Sequence, residues 1–349
     1  ESQVVAICDL DVQYRDRAQQ ITELDPANLY NNFEDVLARD DIDAVCISTP
    51  DHWHAYITIA AAQAGKDIYC EKPLSLTLDE GRKMVDQVNK AGRILQTGTH
   101  RRSIDTVRRA CELVRNGRVG EVHTVHVAVP EGYAIRGGYT TNDPVVPVPK
   151  GFDYERWLGS APQAPYIPAR CHFNFRWIQD YSAGYISDWG AHYYDLAQWG
   201  LGMDDTGPVS IEGEATYPTK GLYNAATLHR VEFTYANGVK LISTTSKDGK
   251  QYGARFVGTE GSLYIETKDI ITDPPAIATS TIGPDDIHLY KASDHHLNFL
   301  ECVKSRKQPS ASAETGHRAA SICHLATIAT TLNQPLNWDP VKEVFKDND

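Results

Sequence analysis

Four segments of the 349-residue chain carry side chains suited to acid–base chemistry or ligand binding, and the richest is Gly184–Asp195. Within it Asp188 and His192 are four residues apart, and Asp195 follows three residues later. On a helix, residues three and four apart share a face. A carboxylate beside an imidazole orients the ring and raises its basicity, which suits a general base near neutral pH. The segment also fits a helix N-cap at Asp188 with a hydrogen-bonded core histidine. No metal is expected, because a zinc site needs more ligands than this face supplies.

Two further segments directly follow predicted buried strands. Ser48–His54 contains two histidines and a tryptophan, and Glu71-Lys72-Pro73 places a lysine just beyond a strand. In open α/β folds ligands bind at the carboxyl ends of the strands. A lysine that points into such a crevice can share a proton with a substrate hydroxyl. Each segment also has a plain structural interpretation, as a turn with a helix cap and as a surface lysine paired with its neighbouring glutamate.

Asp9 ends the first predicted strand, Val4–Cys8. In dinucleotide-binding units a Gly-x-Gly-x-x-Gly turn follows the first strand, and an acid about 20 residues later accepts the ribose hydroxyls. Asp9 suits that acid, and its charge favours NAD over NADP. No such glycine turn occurs near the start, so we expect the turn, with roughly 30 residues, to lie upstream. Without the strand before it, neighbouring strands would present unpaired edges. The alternative role for Asp9 is a helix N-cap.

The elements that must position these segments alternate between strand and helix over the first 120 residues. Strands are predicted at 4–8, 42–48, 67–70 and 94–98, and helices at 11–24, 55–64 and 79–90. This alternation predicts βαβ units and a parallel sheet.

The pattern changes after residue 120. A strand at 121–129 and a long loop to about residue 170 precede a helix at 188–201, several strands over 209–266, and helices at 294–305 and 314–332. The predicted fold is α/β: a Rossmann-type domain lacking its first strand (1–120), and a C-terminal α+β domain with a large open, mostly antiparallel sheet (121–349). An open sheet face needs a cover, so we expect a homodimer or homotetramer formed through it.

Composition excludes some classes of partner. The formal net charge is -12 and no basic block occurs, which disfavours nucleic acids and anionic membranes. No apolar stretch approaches the roughly 20 residues that span a bilayer. Seven cysteines without a CxxC pair predict buried, reduced thiols and therefore the cytoplasm, with export left open because a signal would lie upstream.

Together these segments resemble the Gfo/Idh/MocA oxidoreductases, the family of glucose-fructose oxidoreductase and inositol dehydrogenase. Residues 64–73 are similar to the family's Glu-Lys-Pro segment, and residues 184–195 are similar to its Gly-x-x-x-Asp-x-Gly-x-His-x-x-Asp segment. The resemblance covers essentially the whole chain. The absent glycine turn is the departure, and it puts cofactor binding by this exact polypeptide in doubt.

The resemblance implies that three residues surround the reacting carbinol. His192 would take the hydroxyl proton, Asp188 would orient and tune His192, and Lys72 would hold the oxygen. The cofactor would be NAD, in preference to NADP, and its expected contacts are Asp9, Thr49, Pro50, His54, Glu71, Lys72 and His100. Aromatic rings stack on sugars and arginines bind hydroxyls or carboxylates, although loop packing explains such residues equally well. The expected substrate contacts are Arg101, Tyr133, His172, Trp177, Asp188 and His192.

Three functions are compatible with these residues. The first is an NAD-dependent oxidoreductase acting on a secondary hydroxyl of a sugar, glycoside or cyclitol. The second is a glycoside hydrolase or lyase that works by transient oxidation and elimination, with the hydride returned. The third is a non-catalytic sugar- or cofactor-binding protein. The segment following Asp188 is similar to a branch of the family often encoded with glycoside-degrading genes, which favours a glycoside or free sugar as substrate.

Overall fold

The computed structural model describes residues 2–132, 143–246 and 252–346. Strands and helices alternate in its N-terminal part, as the sequence predicts, although the elements at 29–30, 33–37 and 105–115 were not predicted individually. In chain order they are β1 (Ile7–Cys8), α1 (Val12–Thr22), β2 (Leu29–Tyr30), α2 (Phe33–Leu37), β3 (Ala44–Ile47), α3 (Asp51–Gln63), β4 (Asp67–Cys70), α4 (Leu78–Lys90), β5 (Leu95–Thr97) and α5 (Asp105–Arg115).

The parallel strands form two separate small sheets, β1–β2 and β3–β4–β5. Within the described residues nothing pairs with the second edge of β1 or β3. Cys8 and Cys46 lie on these two strands and are exposed, whereas the other five cysteines are buried. The prediction that all seven thiols are buried is therefore wrong for these two, which lie on strands at the edges of small sheets.

Helix α3 begins earlier than its predicted start at residue 55. Pro50 occupies the N-cap and Asp51 is the first helical residue, so His52, Trp53 and His54 lie in the first turn of the helix rather than in a loop. A proline there presets the backbone for the helix that follows. The next helix, α4, begins with a capping box between Thr77 and Glu80, which explains why its start was predictable.

The C-terminal part is built on a nine-stranded sheet. Its elements are β6 (Val122–Pro130), α6 (Tyr154–Leu158), α7 (Tyr185–Asp188), α8 (Gly190–Leu201), β7 (Ser210–Thr216), β8 (Leu228–Thr234), β9 (Lys240–Ser246), β10 (Gly253–Gly258), β11 (Gly261–Ile265), β12 (Ile270–Asp273), α9 (His295–Ser305), α10 (Ala313–Leu332), β13 (Leu336–Asp339) and β14 (Val344–Lys346). The strand order is β12-β11-β10-β6-β9-β8-β7-β13-β14, and only the β6–β9 pair is parallel among the pairs described. The predicted open, mostly antiparallel sheet is confirmed.

One face of this sheet forms the main core. Side chains such as Val125, Val127 and Phe233 are fully buried in one cluster with residues of α5, α8 and α10. Helix α10 also packs against α4 and β5, so it links the two parts of the chain. In the ranges that the structure describes, no helix is both long and apolar enough to cross a membrane.

Candidate active site

Lys72, Asp188 and Arg176 form a compact charged group between the two parts of the chain. Lys72 follows β4, and its Nζ lies 2.7 Å from Asp188 Oδ1 and 2.7 Å from the Asp188 carbonyl oxygen. Arg176 Nε donates to the same carboxylate oxygen at 3.0 Å. Burial alone would raise the pKa of Asp188, but the Lys72 and Arg176 cations lower it below its ordinary value. Asp188 is therefore an ionised anchor for both cations at neutral pH.

His192 lies beside this group without a hydrogen bond to it. Its Nδ1 is buried and has no partner among the described residues, and the His100 ring lies 5.0 Å away between centroids. Burial, followed by the charges of Lys72 and Arg101, lowers the pKa of His192 well below its ordinary value. The imidazole is therefore neutral at physiological pH and can accept a proton.

The expectation that Asp188 tunes His192 and raises its basicity is wrong in this structure. Asp188 ends α7 and His192 lies in α8, and Trp189 separates the two helices. The Asp188 carboxylate accepts hydrogen bonds from Lys72 and Arg176 instead, and the pKa of His192 is lowered rather than raised.

Asp195 does not share the site, contrary to the helical-face prediction. It is fully buried, and both of its carboxylate oxygens accept from Arg102 Nε at 2.9 Å. Arg102 also bonds Asp204 at 2.7 Å. Asp195 therefore anchors the turn at 100–103 to α8, which is a structural role.

The carboxyl ends of β3, β4 and β5 supply the residues expected to hold a cofactor. The hydroxyl oxygens of Thr49 and Thr99 are buried and have no hydrogen-bond partner within the described ranges. The Glu71 carboxylate packs directly on Gly98, where an added Cβ would lie 2.6 Å from its Oε2. Unpaired buried hydroxyls at strand ends call for a polar ligand, so this edge fits a dinucleotide.

His54 is placed differently from the prediction. It is 1% exposed, with Nδ1 2.8 Å from the Pro73 carbonyl oxygen and Nε2 2.9 Å from the Thr49 carbonyl oxygen. Because both ring nitrogens already have backbone partners, the direct cofactor contact predicted for His54 is not supported.

Asp9 lies at the end of β1, as predicted, and it is not the cap of α1. Asp11 is the N-cap, with its carboxylate accepting from the Gln13 amide. The Asp9 Oδ1 accepts from the Asp11 amide at 2.9 Å. Burial raises the pKa of Asp9, and the Asp11 amide hydrogen bond partly offsets that effect. The capping alternative for Asp9 is thereby removed.

The predicted substrate residues are scattered. Arg101 is close to the site, because its charge helps to lower the pKa of His192. Its guanidinium lies over the Tyr193 ring, 4.6 Å from the centroid, and forms a salt bridge with Glu266 at 3.2 Å. His172 instead lies beside α1, with Nε2 3.4 Å from the Asp11 carboxylate.

Two predicted substrate contacts receive no support. Trp177 is 1% exposed and packs in an aromatic core cluster with Tyr185, so its ring offers no surface to a ligand in this structure. Tyr133 lies outside the described residues.

Two residues that help to position the site, Asp51 and Ser182, were not recognised from the sequence. Asp51 appeared to be a helix cap, but Pro50 holds that position and Asp51 Oδ2 accepts from Ser182 Oγ at 2.5 Å. This bond joins the start of α3 to the segment that leads into α7. The only signal for it was an aspartate in the first turn after a strand, a pattern that capping explains equally well.

The chain joins a Rossmann-type unit to an open sheet, and its site combines a lysine that follows a strand with a carboxylate from α7 and an imidazole from α8. This arrangement is typical of a two-part nicotinamide-dependent oxidoreductase. Family models described as "oxidoreductase family, NAD-binding Rossmann fold" and "oxidoreductase family, C-terminal alpha/beta domain" match residues 1–99 and 103–349. The chain belongs to the Gfo/Idh/MocA oxidoreductase family.

Individual relatives agree with this assignment. The chain is 30% identical over 305 residues to scyllo-inositol 2-dehydrogenase (NAD(+)) of Bacillus subtilis, covering 84% of this chain and 77% of the relative. It is 39% identical over 95 residues to a glycosyl hydrolase family 109 protein of Shewanella pealeana, covering 25% of this chain and 21% of that protein. Levoglucosan dehydrogenase in complex with NADH and L-sorbose shares the fold, with a TM-score of 0.71, 17% identity, and coverage of 95% and 89% of the two chains.

Proposed function

We propose that this protein is an NAD-dependent oxidoreductase acting on a secondary hydroxyl of a sugar, glycoside or cyclitol. The observation that carries the proposal is the pairing of a Lys72 ammonium, anchored 2.7 Å from Asp188, with a neutral His192 whose Nδ1 has no partner in the described ranges. Such a site can hold a hydroxyl oxygen and accept its proton at the same time.

The residues of this site have different proposed roles in the reaction. His192 takes the hydroxyl proton, because its neutral form prevails at physiological pH. The Lys72 ammonium donates to the substrate oxygen and stabilises the negative charge that develops there. Asp188 and Arg176 hold Lys72 in place. When bound, the nicotinamide ring supplies the hydride acceptor or donor. The residues proposed to hold it are Asp9, Thr49, Pro50, Glu71, Lys72 and His100.

Asp9 supports NAD over NADP. A carboxylate at the end of this strand accepts ribose hydroxyls and repels a 2′-phosphate. Since Asp11 caps α1, the Asp9 carboxylate is not needed for that purpose.

A second candidate is redox-neutral cleavage of a glycoside, and the similarity of 95 residues to a glycosyl hydrolase family 109 protein favours it. Oxidation of a ring hydroxyl to a ketone acidifies the neighbouring C–H, and elimination then expels the other sugar or aglycone as an alcohol and leaves an unsaturated ketone. In a hydrolase water adds to this double bond before the hydride returns to the ketone, whereas in a lyase the hydride returns without addition of water. The same lysine and histidine serve the proton transfers in both schemes.

Mass spectrometry of products separates the two. The full-length protein is incubated with NAD and a panel of glycosides, free sugars and inositols, with the Lys72→Met variant as control. Loss of two hydrogens from an intact substrate, with stoichiometric NADH, supports the dehydrogenase. A cleaved glycoside without net NADH supports the second candidate. No product from any substrate class contradicts both.

We also propose that the protein assembles as a homodimer or homotetramer through the outer face of the nine-stranded sheet. That face carries partly exposed side chains, among them Ile242, Arg255 and Tyr264. Light scattering coupled to size exclusion tests the mass, and a monomer at micromolar concentration contradicts the proposal.

The seven free thiols support a reducing compartment, the cytoplasm.

A further inference from the structure

His54 makes an unusual pair of hydrogen bonds for a buried histidine. Its Nδ1 lies 2.8 Å from the Pro73 carbonyl oxygen, and its Nε2 lies 2.9 Å from the Thr49 carbonyl oxygen. Both partners are acceptors and neither can donate. A neutral imidazole carries one N–H, so one of its nitrogens would then face a carbonyl oxygen lone pair to lone pair. Only the imidazolium form satisfies both contacts.

The charges near His54 support that form. Among the titratable groups that act on it are Cys70 of β4 and, from its own helix, Asp51 and His52. Burial alone would lower the pKa of His54, but the Cys70 sulfur, the Asp51 carboxylate and the Pro73 carbonyl together raise it to about 10. Burial raises the pKa of Asp51 only to about 6, so the two groups are oppositely charged at pH 7.

His52, two residues earlier on the same helix, shows the opposite arrangement. Its Nε2 lies 3.0 Å from the Trp157 carbonyl oxygen, and its Nδ1 has no partner within the described ranges. One N–H satisfies this geometry, and burial lowers the pKa of His52 to about 4. The two histidines are similarly buried, at 4% and 1% exposure, and differ mainly in their acceptors.

We propose that His54 is a positioning residue that is doubly protonated at neutral pH. It ties Thr49, just after β3, to the Lys72–Pro73 turn after β4 and so fixes Lys72 against Asp188. One imidazolium bridges the two strand ends that border the active site. Asp51, its counter-charge, accepts from Ser182 and carries the connection across to the segment that precedes Asp188. The kinetic consequence rests on the proposed function, whereas the protonation state does not.

The protonation state is measured on the substrate-free, full-length protein labelled with 15N-histidine. Long-range 1H–15N spectra report how many ring nitrogens of each histidine carry a proton. The His54 signal is assigned by its NOEs to Thr49 and Pro73 and by its loss in the His54→Asn variant. We expect both nitrogens of His54 to be protonated at pH 8, and His52 to show one protonated and one bare nitrogen. A single protonated nitrogen on His54 at that pH overturns the proposal, even if the variants do not fold.

Kinetics test the positioning role. His54→Phe removes both donors, and we expect kcat to fall on the order of 100-fold, because small displacements of catalytic groups cost about that much. His54→Asn retains one amide donor and should recover part of the loss. His52→Gln is the matched control and should leave kcat close to wild type. Wild-type kcat in a folded His54→Phe variant overturns the role of His54. If the wild-type protein turns over no sugar, the proposed function fails, while the spectra still decide the state of His54.

Discussion

Replacing His192 with alanine tests the acid–base assignment most directly. A general base contributes roughly 10²- to 10⁴-fold to a rate. Burial and the Lys72 and Arg101 charges lower the pKa of His192 well below its usual range, and a weaker base contributes less driving force. We therefore expect the lower end, a loss of about 100-fold in kcat, which corresponds to about 2.7 kcal/mol of transition-state stabilisation.

The pH profile adds an independent test. The neutral imidazole is the active form, and it persists down to the folded-state pKa, which is depressed. The acid limb of kcat/KM should therefore lie below the ordinary histidine value of about 6.5, and His192→Ala should remove that limb. The assay is stopped-flow NADH absorbance with the substrate identified by mass spectrometry. His123→Ala is the control, because His123 is exposed on β6.

Two results would refute this reasoning. One is a kcat in His192→Ala within about threefold of wild type, which is too small a loss for a general base. The other is an acid limb that persists unchanged in the variant. Either result would assign the proton transfer to another group, and Lys72 would be the next to test.

Three further perturbations address the cofactor end and the framework. Asp9→Ala should reduce the preference for NAD over NADP in kcat/KM, since the carboxylate no longer repels a 2′-phosphate, and an unchanged ratio would contradict its assigned role. Asp195→Asn breaks the buried pair with Arg102, for which losses of about 3–5 kcal/mol are typical. Because Asp204 remains bonded to Arg102, we expect about 3 kcal/mol in urea unfolding. An unchanged midpoint would argue against a structural role. Burial alone would raise the pKa of Glu343, but hydrogen bonds from His317 and Arg82 lower it to about 2. The stabilisation is present above the unfolded value of 4.5 and is lost as the pH falls toward 2. Melting temperatures at neutral and acid pH should therefore diverge less in Glu343→Gln than in wild type.

Most of the alternating strands and helices were predictable because they carried local signals, whereas β2, α2 and α5 were not predicted. Helix α4 has its capping box, and the strand β4 is uniformly buried and apolar enough to stand out. The partners of individual side chains were not predictable. The helical spacing of Asp188, His192 and Asp195 suggested one shared face, but α7 ends at Asp188 and α8 begins at Gly190, and the three side chains have different surroundings. Asp188 pairs with Lys72 and Arg176, Asp195 pairs with Arg102, and His192 Nδ1 has no partner among the described residues.

The sequence by itself determined the fold class, the family and the strand-end positions of Lys72 and Asp9, since these depend on local periodicity and on residues that follow strands directly. Only the tertiary structure decided which charged side chains form pairs and which side chains stay neutral. It pairs Lys72 with Asp188 across 116 residues, buries Asp195 against Arg102, leaves His192 neutral, and surrounds His54 with two carbonyl oxygens. These outcomes depend on distance and burial, which arise only when remote segments pack together, and both set the charge state of each group.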